Sequence, residues 1–204
     1  MDPARSRLRI GRRFRGPPGI ANGGFASGSL AALLGGAVDV EVSLRRSVPL
    51  EHPLEVRHDR DAALLLDDHG WLLAEARPPA AEVELTVPDT PTPEEARAAA
   101  GRGAYYADPL FPDCFVCGPA RAPGDGLRIF PGPVSRRSVW APPWTPDPSV
   151  GGPDGRVRDE VVWLLGRDGR KLAAGSALLG PDGEVLAAAR ALWVTVARTA
   201  GGSG

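Results

Sequence analysis

Apolar and polar positions alternate with a period of two from Val38 to Leu44, where Val38, Val40, Val42 and Leu44 are separated by Asp39, Glu41 and Ser43. That spacing predicts a strand with one buried face. Leu8-Arg9-Ile10 begins a shorter alternating segment, and Leu54-Glu55-Val56-Arg57 opens another strand after the turn bracketed by Pro49 and Pro53. Ala62 to Leu66, the polar turn Asp67-Asp68-His69-Gly70 and Trp71 to Ala76 read as a hairpin. Val83, Leu85 and Val87 close the series.

One stretch breaks the pattern. Asn22 to Gly36 opens on an N-cap residue, ends on a glycine pair suited to a left-handed C-cap, and carries no charge anywhere. Phe25, Leu30, Leu33 and Leu34 are its large residues, and the remaining positions inside it are Ala, Ser or Gly. A surface helix would show a charged face, so this one is expected to be buried on nearly every side. Gly23 and Gly24 also let another group approach the first turn, where unpaired N–H groups and the helix dipole polarise a carbonyl or hold an anion. A core helix with a glycine-rich opening turn accounts for the same residues. The order strand, helix, antiparallel strands predicts an α+β fold with a sheet wrapped around one helix.

Beyond this first unit, taken as 1–88, a Pro-rich stretch at 89–113 with a short helical segment, Pro93 to Ala100, reads as a linker. The pattern then returns at 114–197. Leu127-Arg128-Ile129 repeats Leu8-Arg9-Ile10, Leu172 to Leu179 and Glu184 to Arg190 repeat the hairpin, and Leu192, Val194 and Val196 echo the closing strand. A second helix is expected to start at Arg158-Asp159-Glu160-Val161-Val162-Trp163. Too few residues follow it for a full helix and a central strand, so the second copy is read as truncated, with 198–204 a disordered tail.

The 204 residues are 43% hydrophobic, enough for a sizeable core, and Gly (26) and Pro (22) punctuate apolar runs without forming low-complexity tracts. A formal net charge of −1 gives no general argument for a nucleic-acid or anionic-membrane partner, and none is expected. No run approaches the roughly 20 apolar residues of a membrane span, and the Arg-rich first residues lack a secretory apolar stretch. The two cysteines share one short motif, which fits a reducing compartment and a cytoplasmic protein.

Asn22-Gly-Gly-Phe-Ala-Ser-Gly, Val38 to Leu44, Trp71-Leu-Leu-Ala-Glu-Ala, Cys114-Phe-Val-Cys-Gly-Pro and Gly126-Leu-Arg-Ile-Phe together resemble the hotdog-fold thioesterase-like proteins. More narrowly, the chain looks like their double-hotdog members from actinobacteria. The resemblance runs from Leu8 to Val196 and implies two tandem hotdog units, the second incomplete here. It implies acyl thioester chemistry, typically on acyl-CoA, with no cofactor and no metal. Asn22, Gly23 and Gly24 match the family's His/Asn-Gly-Gly turn. Gly24 would offer its N–H to the thioester carbonyl, and Asn22 would orient carbonyl or water. Related enzymes carry an acid on this helix, and this helix has none, so Asp159 or Glu160 would have to supply it. Phe25, Trp140 and Trp144 are the expected walls for the acyl or pantetheine chain, although covering a sheet edge or the unit interface is the more ordinary account of the Trp-Pro patch.

Three readings of Cys114-x-x-Cys117 stay open: a packed turn between the units, part of a metal site, or a redox pair. Structural zinc needs four ligands and no second pair exists, while a redox motif would open a helix, and here Gly118-Pro119 follow. The arginines between Arg5 and Arg15 could steer phosphates or line an exposed strand. The function expected is an acyl-CoA thioesterase-like protein that hydrolyses or binds an acyl thioester. Its rival is a non-catalytic acyl-CoA-binding or assembly module that has lost its acid. A hotdog dehydratase or hydratase would need a helix-borne His or Asp that is absent. A shortened second unit leaves sheet edges uncovered, so the chain is expected to form a homo-oligomer. Sedimentation velocity at micromolar concentration should show self-association, and a clean monomer would count against it.

Overall fold

The computed structural model describes residues 5–35, 39–134, 139–141 and 159–195. By packing, the chain divides into two compact units, one of Met1–Val83 with Asp108–Arg128 and the other of Glu84–Ala107 with Ile129–Gly204.

In the first unit β1 (Arg5–Leu8), α1 (Gly23–Ala31), β2 (Glu41–Leu44), β3 (Leu54–Asp59), β4 (Ala62–Leu66) and β5 (Leu72–Arg77) follow in sequence. The strands form one antiparallel sheet in the order β1-β3-β4-β5-β2, and α1 packs on β2, β4 and β5. Alternation sets the buried face. Leu54 and Val56 of β3, Ala63 and Leu65 of β4, and Ala74 and Ala76 of β5 are buried together with Ala26 and Leu30 of the helix. Three of these sheet residues are alanines, small enough for a helix backbone to come close. Ala26 and Leu30 are one turn apart, so they share the face that meets the sheet.

The hairpin turn forms where expected. Asp67 Oδ1 accepts from the N–H groups of His69 (3.0 Å) and Trp71 (2.8 Å), and Gly70 takes the left-handed conformation at φ 77°. Burial of α1 is confined to the sheet side, whereas Gly24, Gly28 and Ala32 are exposed. A chargeless helix is therefore half covered here, its outer face being made of small residues. Val38 lies outside the described residues.

The second unit departs further from the sequence reading. β6 (Gly132–Pro133), β7 (Val139–Ala141), β8 (Asp159–Asp168), β9 (Lys171–Leu179) and β10 (Val185–Val194) make an antiparallel meander in the order β10-β9-β8-β7-β6. The expected helix start at Arg158–Trp163 is corrected: from Asp159 onward these residues are strand β8. Val161 and Trp163 are buried and alternate with less buried neighbours, and β-branched and aromatic residues favour a paired strand over an unsupported helix.

The helix of this unit is α2 (Pro93–Ala99), which the sequence placed in a linker. Thr92 and Glu95 form a reciprocal capping box, Thr92 Oγ1 accepting from Glu95 N–H at 3.2 Å and Glu95 Oε2 from Thr92 N–H at 2.8 Å. Its Ala96 and Ala99 enter a core with Val134, Val161, Trp163, Ala177 and Leu179, against which Leu85 and Val87 pack. Leu85 and Val87 thus belong to this unit and form no strand. Leu127–Ile129 form no strand either, because Arg128 sits at φ 52°, which interrupts an extended run. The expected β9–β10 hairpin is present, with the single strand β10 extending through Leu192 to Val194. Among the described residues no helix is long and apolar enough to cross a membrane.

Trp163 stands directly across from Gly175 in the β8–β9 pair, and its indole lies over that glycine. A Cβ at position 175 would come within 2.4 Å of the ring. Gly175→Ala should therefore destabilise the protein by about 1–3 kcal/mol. Thermal unfolding should show the loss, and Trp163→Leu in the same background should reduce it.

Candidate functional site

α1 begins at a cap that Asn22 builds with its own side chain. Its Oδ1 accepts from Phe25 N–H at 3.0 Å, and its backbone N–H donates to Phe14 O at 2.8 Å. Gly23 and Gly24 are the first two helical residues, whose N–H groups have no acceptor inside the helix. Gly24 is exposed, and a Cβ there would stand 3.3 Å from Asn22 Oδ1. A Cβ on Gly23 would meet Leu44 at 3.1 Å. The two glycines thus keep the first turn close to its neighbours and open on its outer side.

Asn22 has a second partner that sequence reasoning did not assign. Its Nδ2 donates to Cys114 Sγ at 3.6 Å. The Cys114–Cys117 segment comes here because 108–128 packs with the first unit. Phe115 N–H donates to Arg15 O (2.7 Å) and Leu127 N–H to Phe115 O (2.9 Å), a short backbone ladder. Phe115 is buried and meets Phe14 and Phe25 edge-on, with ring centroids 5.0 and 6.0 Å away, while Phe14 and Phe25 stack at 3.7 Å. Phe25 is thus part of an aromatic cluster beneath the turn.

The CxxC turn is tight. Cys114 N–H donates to Phe111 O at 3.0 Å and Gly118 N–H to Cys114 O at 2.8 Å. A Cβ on Gly118 would fall 2.5 Å from Cys114 N, so glycine is required there. The Cys114 thiol is lowered to about 5, first by a hydrogen bond from the Cys117 thiol, then by the backbone N–H groups of Cys117 and Val116 and by Asn22, against the opposing effect of burial. Both cysteines are free thiols, Cys114 buried and Cys117 half-buried. Among the described residues no three His, Cys, Asp or Glu side chains converge as a metal site.

Beside this turn lies an open cleft of about 510 Å³ lined by Arg12, Arg15, Glu51, His52 and the apolar Leu50 and Phe111, among others. Gly16 also lines it, and a Cβ on Gly16 would stand 3.1 Å from Asn22 Cα, so cleft and turn share a wall. Arg15 pairs with Asp113 at 3.0 Å. Glu51 accepts from Arg12 N–H and from Arg9, and the Arg12 N–H holds its carboxyl below the ordinary value.

Asn22, Gly23, Gly24 and Phe25 are therefore gathered at one place, joined by Cys114. Asp159 and Glu160 belong to β8 of the second unit, on a strand where a helix start was expected. Burial pushes the Glu160 carboxyl up to about 7. Trp140 lies in β7; Trp144 lies outside the described residues. The cysteine partner of Asn22 is a contact between residues 92 positions apart, which no local pattern encodes.

No protein-family profile and no curated protein matches the chain. Solved structures do. A candidate thioesterase II from Thermobifida fusca aligns over 94% of this chain and 93% of its own at 12% identity, with a TM-score of 0.56. A conserved hotdog-fold protein of unknown function from Alicyclobacillus acidocaldarius aligns over 97% and 95% at 10% identity, TM-score 0.49. The tesB protein of Mycobacterium avium subspecies paratuberculosis aligns over 89% and 88% at 14% identity, TM-score 0.43. Likeness at such identity defines a fold, and the fold is the α+β hotdog, an antiparallel sheet around a helix.

The Glu160 shift has a stability consequence. A carboxyl raised from 4.5 to about 7 binds more protons folded than unfolded between those values. Stability should then fall as pH rises from about 4.5 through 7, by on the order of 3 kcal/mol, and level off above. Glu160→Gln should flatten that slope in urea titrations across this pH range. An unchanged slope would contradict the assignment.

Proposed function

We propose that the chain is a thioesterase-like hotdog protein that takes an acyl thioester of the acyl-CoA class at the N-terminus of α1. The observation that carries the reading is the opening turn itself. Asn22 fixes the cap, Gly24 is exposed with its N–H at the helix terminus, and an Arg-lined cleft adjoins the same turn. The thioester carbonyl would accept from the Gly24 N–H, where the helix dipole favours developing negative charge. Arg12 and Arg15 bring charge suited to CoA phosphates, beside Glu51 and Asp113 in the same cleft, and Leu50 and Phe111 give it apolar surface suited to the pantetheine chain. The overall likeness to a candidate thioesterase II supports the same class.

For hydrolysis, the acid-base group we propose is Glu160, whose carboxyl titrates near neutrality, with Asp159 beside it in sequence. A second reading, acyl thioester binding without turnover, is favoured by one specific observation. Both ends of the Asn22 amide are occupied, by Phe25 and Cys114, and among the described residues no carboxylate hydrogen-bonds to it.

Thiol release from a panel of acyl-CoAs, measured beside calorimetric binding, separates the two. Hydrolysis should fall about 10–100-fold in kcat/KM in Asn22→Ala and in Asp159→Ala/Glu160→Ala. Binding without thiol release, weakened in Arg12→Glu, would make the chain a binding module. Absence of both turnover and binding would overturn the proposal.

A further inference from the structure

The CxxC turn is not used by the thioester reading, yet its geometry is that of a reactive thiol site. The Asn22 amide donates to Cys114 Sγ at 3.6 Å, and the Cys117 thiol and the backbone N–H groups of Cys117 and Val116 favour the thiolate form of the same sulfur. A neutral thiol in a packed turn needs no such shell. A thiolate does, because an anion removed from water has to be surrounded by hydrogen-bond donors. The second cysteine is already in hydrogen-bonding contact, and the spacing is held by the closed turn from Cys114 O to Gly118 N–H at 2.8 Å. We propose that Cys114 is a peroxide-reactive cysteine and Cys117 its resolving partner, so that the turn cycles between a dithiol and an internal disulfide.

Burial selects the oxidant. Cys114 is only 5% exposed, which disfavours a bulky disulfide such as oxidised glutathione and admits a molecule the size of hydrogen peroxide. The Cys114 thiolate attacks one peroxide oxygen. The O–O bond breaks and hydroxide leaves, so sulfur is oxidised by two electrons to the sulfenic acid while peroxide is reduced to water once a proton is taken up. The Cys117 sulfur then attacks the Cys114 sulfur. The S–S bond forms, the S–O bond breaks, and the hydroxide released joins the Cys117 proton as a second water. A thiol reductant restores the pair. Oxidation removes the anionic acceptor from Asn22 Nδ2, so the cap of α1 feels the state of the sulfur directly.

The test is mass spectrometry of the full-length chain after exposure to hydrogen peroxide, with and without dimedone as a trap for sulfenic acid. Wild type should lose both free thiols, become lighter by two hydrogens as a monomer, and recover with dithiothreitol. Cys117→Ser should retain a dimedone adduct at Cys114. Cys114→Ser should give no adduct and keep the Cys117 thiol. Between pH 8 and pH 6 the wild-type rate should change less than about 3-fold, where an ordinary thiol slows on the order of 100-fold. Asn22→Ala should restore part of that slowing at pH 6. Thermal melts of each variant establish that it is folded, and Cys114→Ala serves if Cys114→Ser is not. Retention of both thiols in folded wild type, trapping at Cys117 in place of Cys114, or disulfides only between chains would each overturn the proposal. Faster reaction with oxidised glutathione than with peroxide would overturn the choice of oxidant.

Discussion

A guanidinium taken out of water has to be ringed by acceptors, and in this protein that requirement falls on Arg121, 7% exposed. Its acceptors come from two distant parts of the chain. Nε donates to Asp113 O at 2.8 Å, Nη1 to Asp125 Oδ1 at 2.8 Å, and Nη2 to Arg13 O at 2.5 Å. The ring of Phe115 covers its guanidinium carbon at 5.7 Å. No single acceptor would compensate for burying the charge, so the arginine fixes all of them at once. What it fixes is the 108–128 segment against the residues just before α1. The backbone ladder through Phe115 and the approach of Cys114 to Asn22 both depend on that docking.

The opening turn of α1 consequently serves two chemistries. Asn22 is a helix cap by its Oδ1 and a thiol partner by its Nδ2. An amide can do both because its two ends are of opposite character, acceptor and donor. Aspartate at this position would keep the cap and repel the thiolate, and serine would keep the cap and fall short of the sulfur. The glycines that follow leave the outer side of the same turn uncovered, away from the face committed to the cysteine.

The first unit was largely legible in the sequence because its signals are local. Alternation in Leu54–Arg57, the Asp67–Gly70 turn and the Asn22 cap each lie within a few residues, and each formed where expected. The second unit was less so. Asp159-Glu160 ahead of an apolar run imitates a helix start, but Val162 and Trp163 are held as a strand by partners on both sides, in β7 and β9, and Val161 by β9. The helix that does enter that core, Pro93–Ala99, looked like a linker because its only core residues are two alanines. At the opening turn of α1, the Asn22 cap and the two glycines after it could be read from local sequence. Cys114 could not be placed beside them, since its position follows from the buried Arg121 and the ladder through Phe115, contacts that span about half the chain.

The division of the chain into units also bears on how it is made. The backbone passes from one unit to the other at 83–84, 107–108 and 128–129. A ribosome therefore delivers the sheet and helix of the first unit well before the segment that carries Arg121 and Cys114, with part of the other unit synthesised in between. Until Phe115 has emerged, Phe14 and Phe25 lack the ring that meets them edge-on, and until Cys114 has emerged Asn22 lacks its sulfur. Neither unit is a continuous stretch of sequence, so no single cleavage yields either one whole. What separates the two parts of the first unit, 84–107, is itself folded: its helix Pro93–Ala99 and Leu85 and Val87 are packed in the other unit's core, so each unit's chain is pinned where it passes through the other.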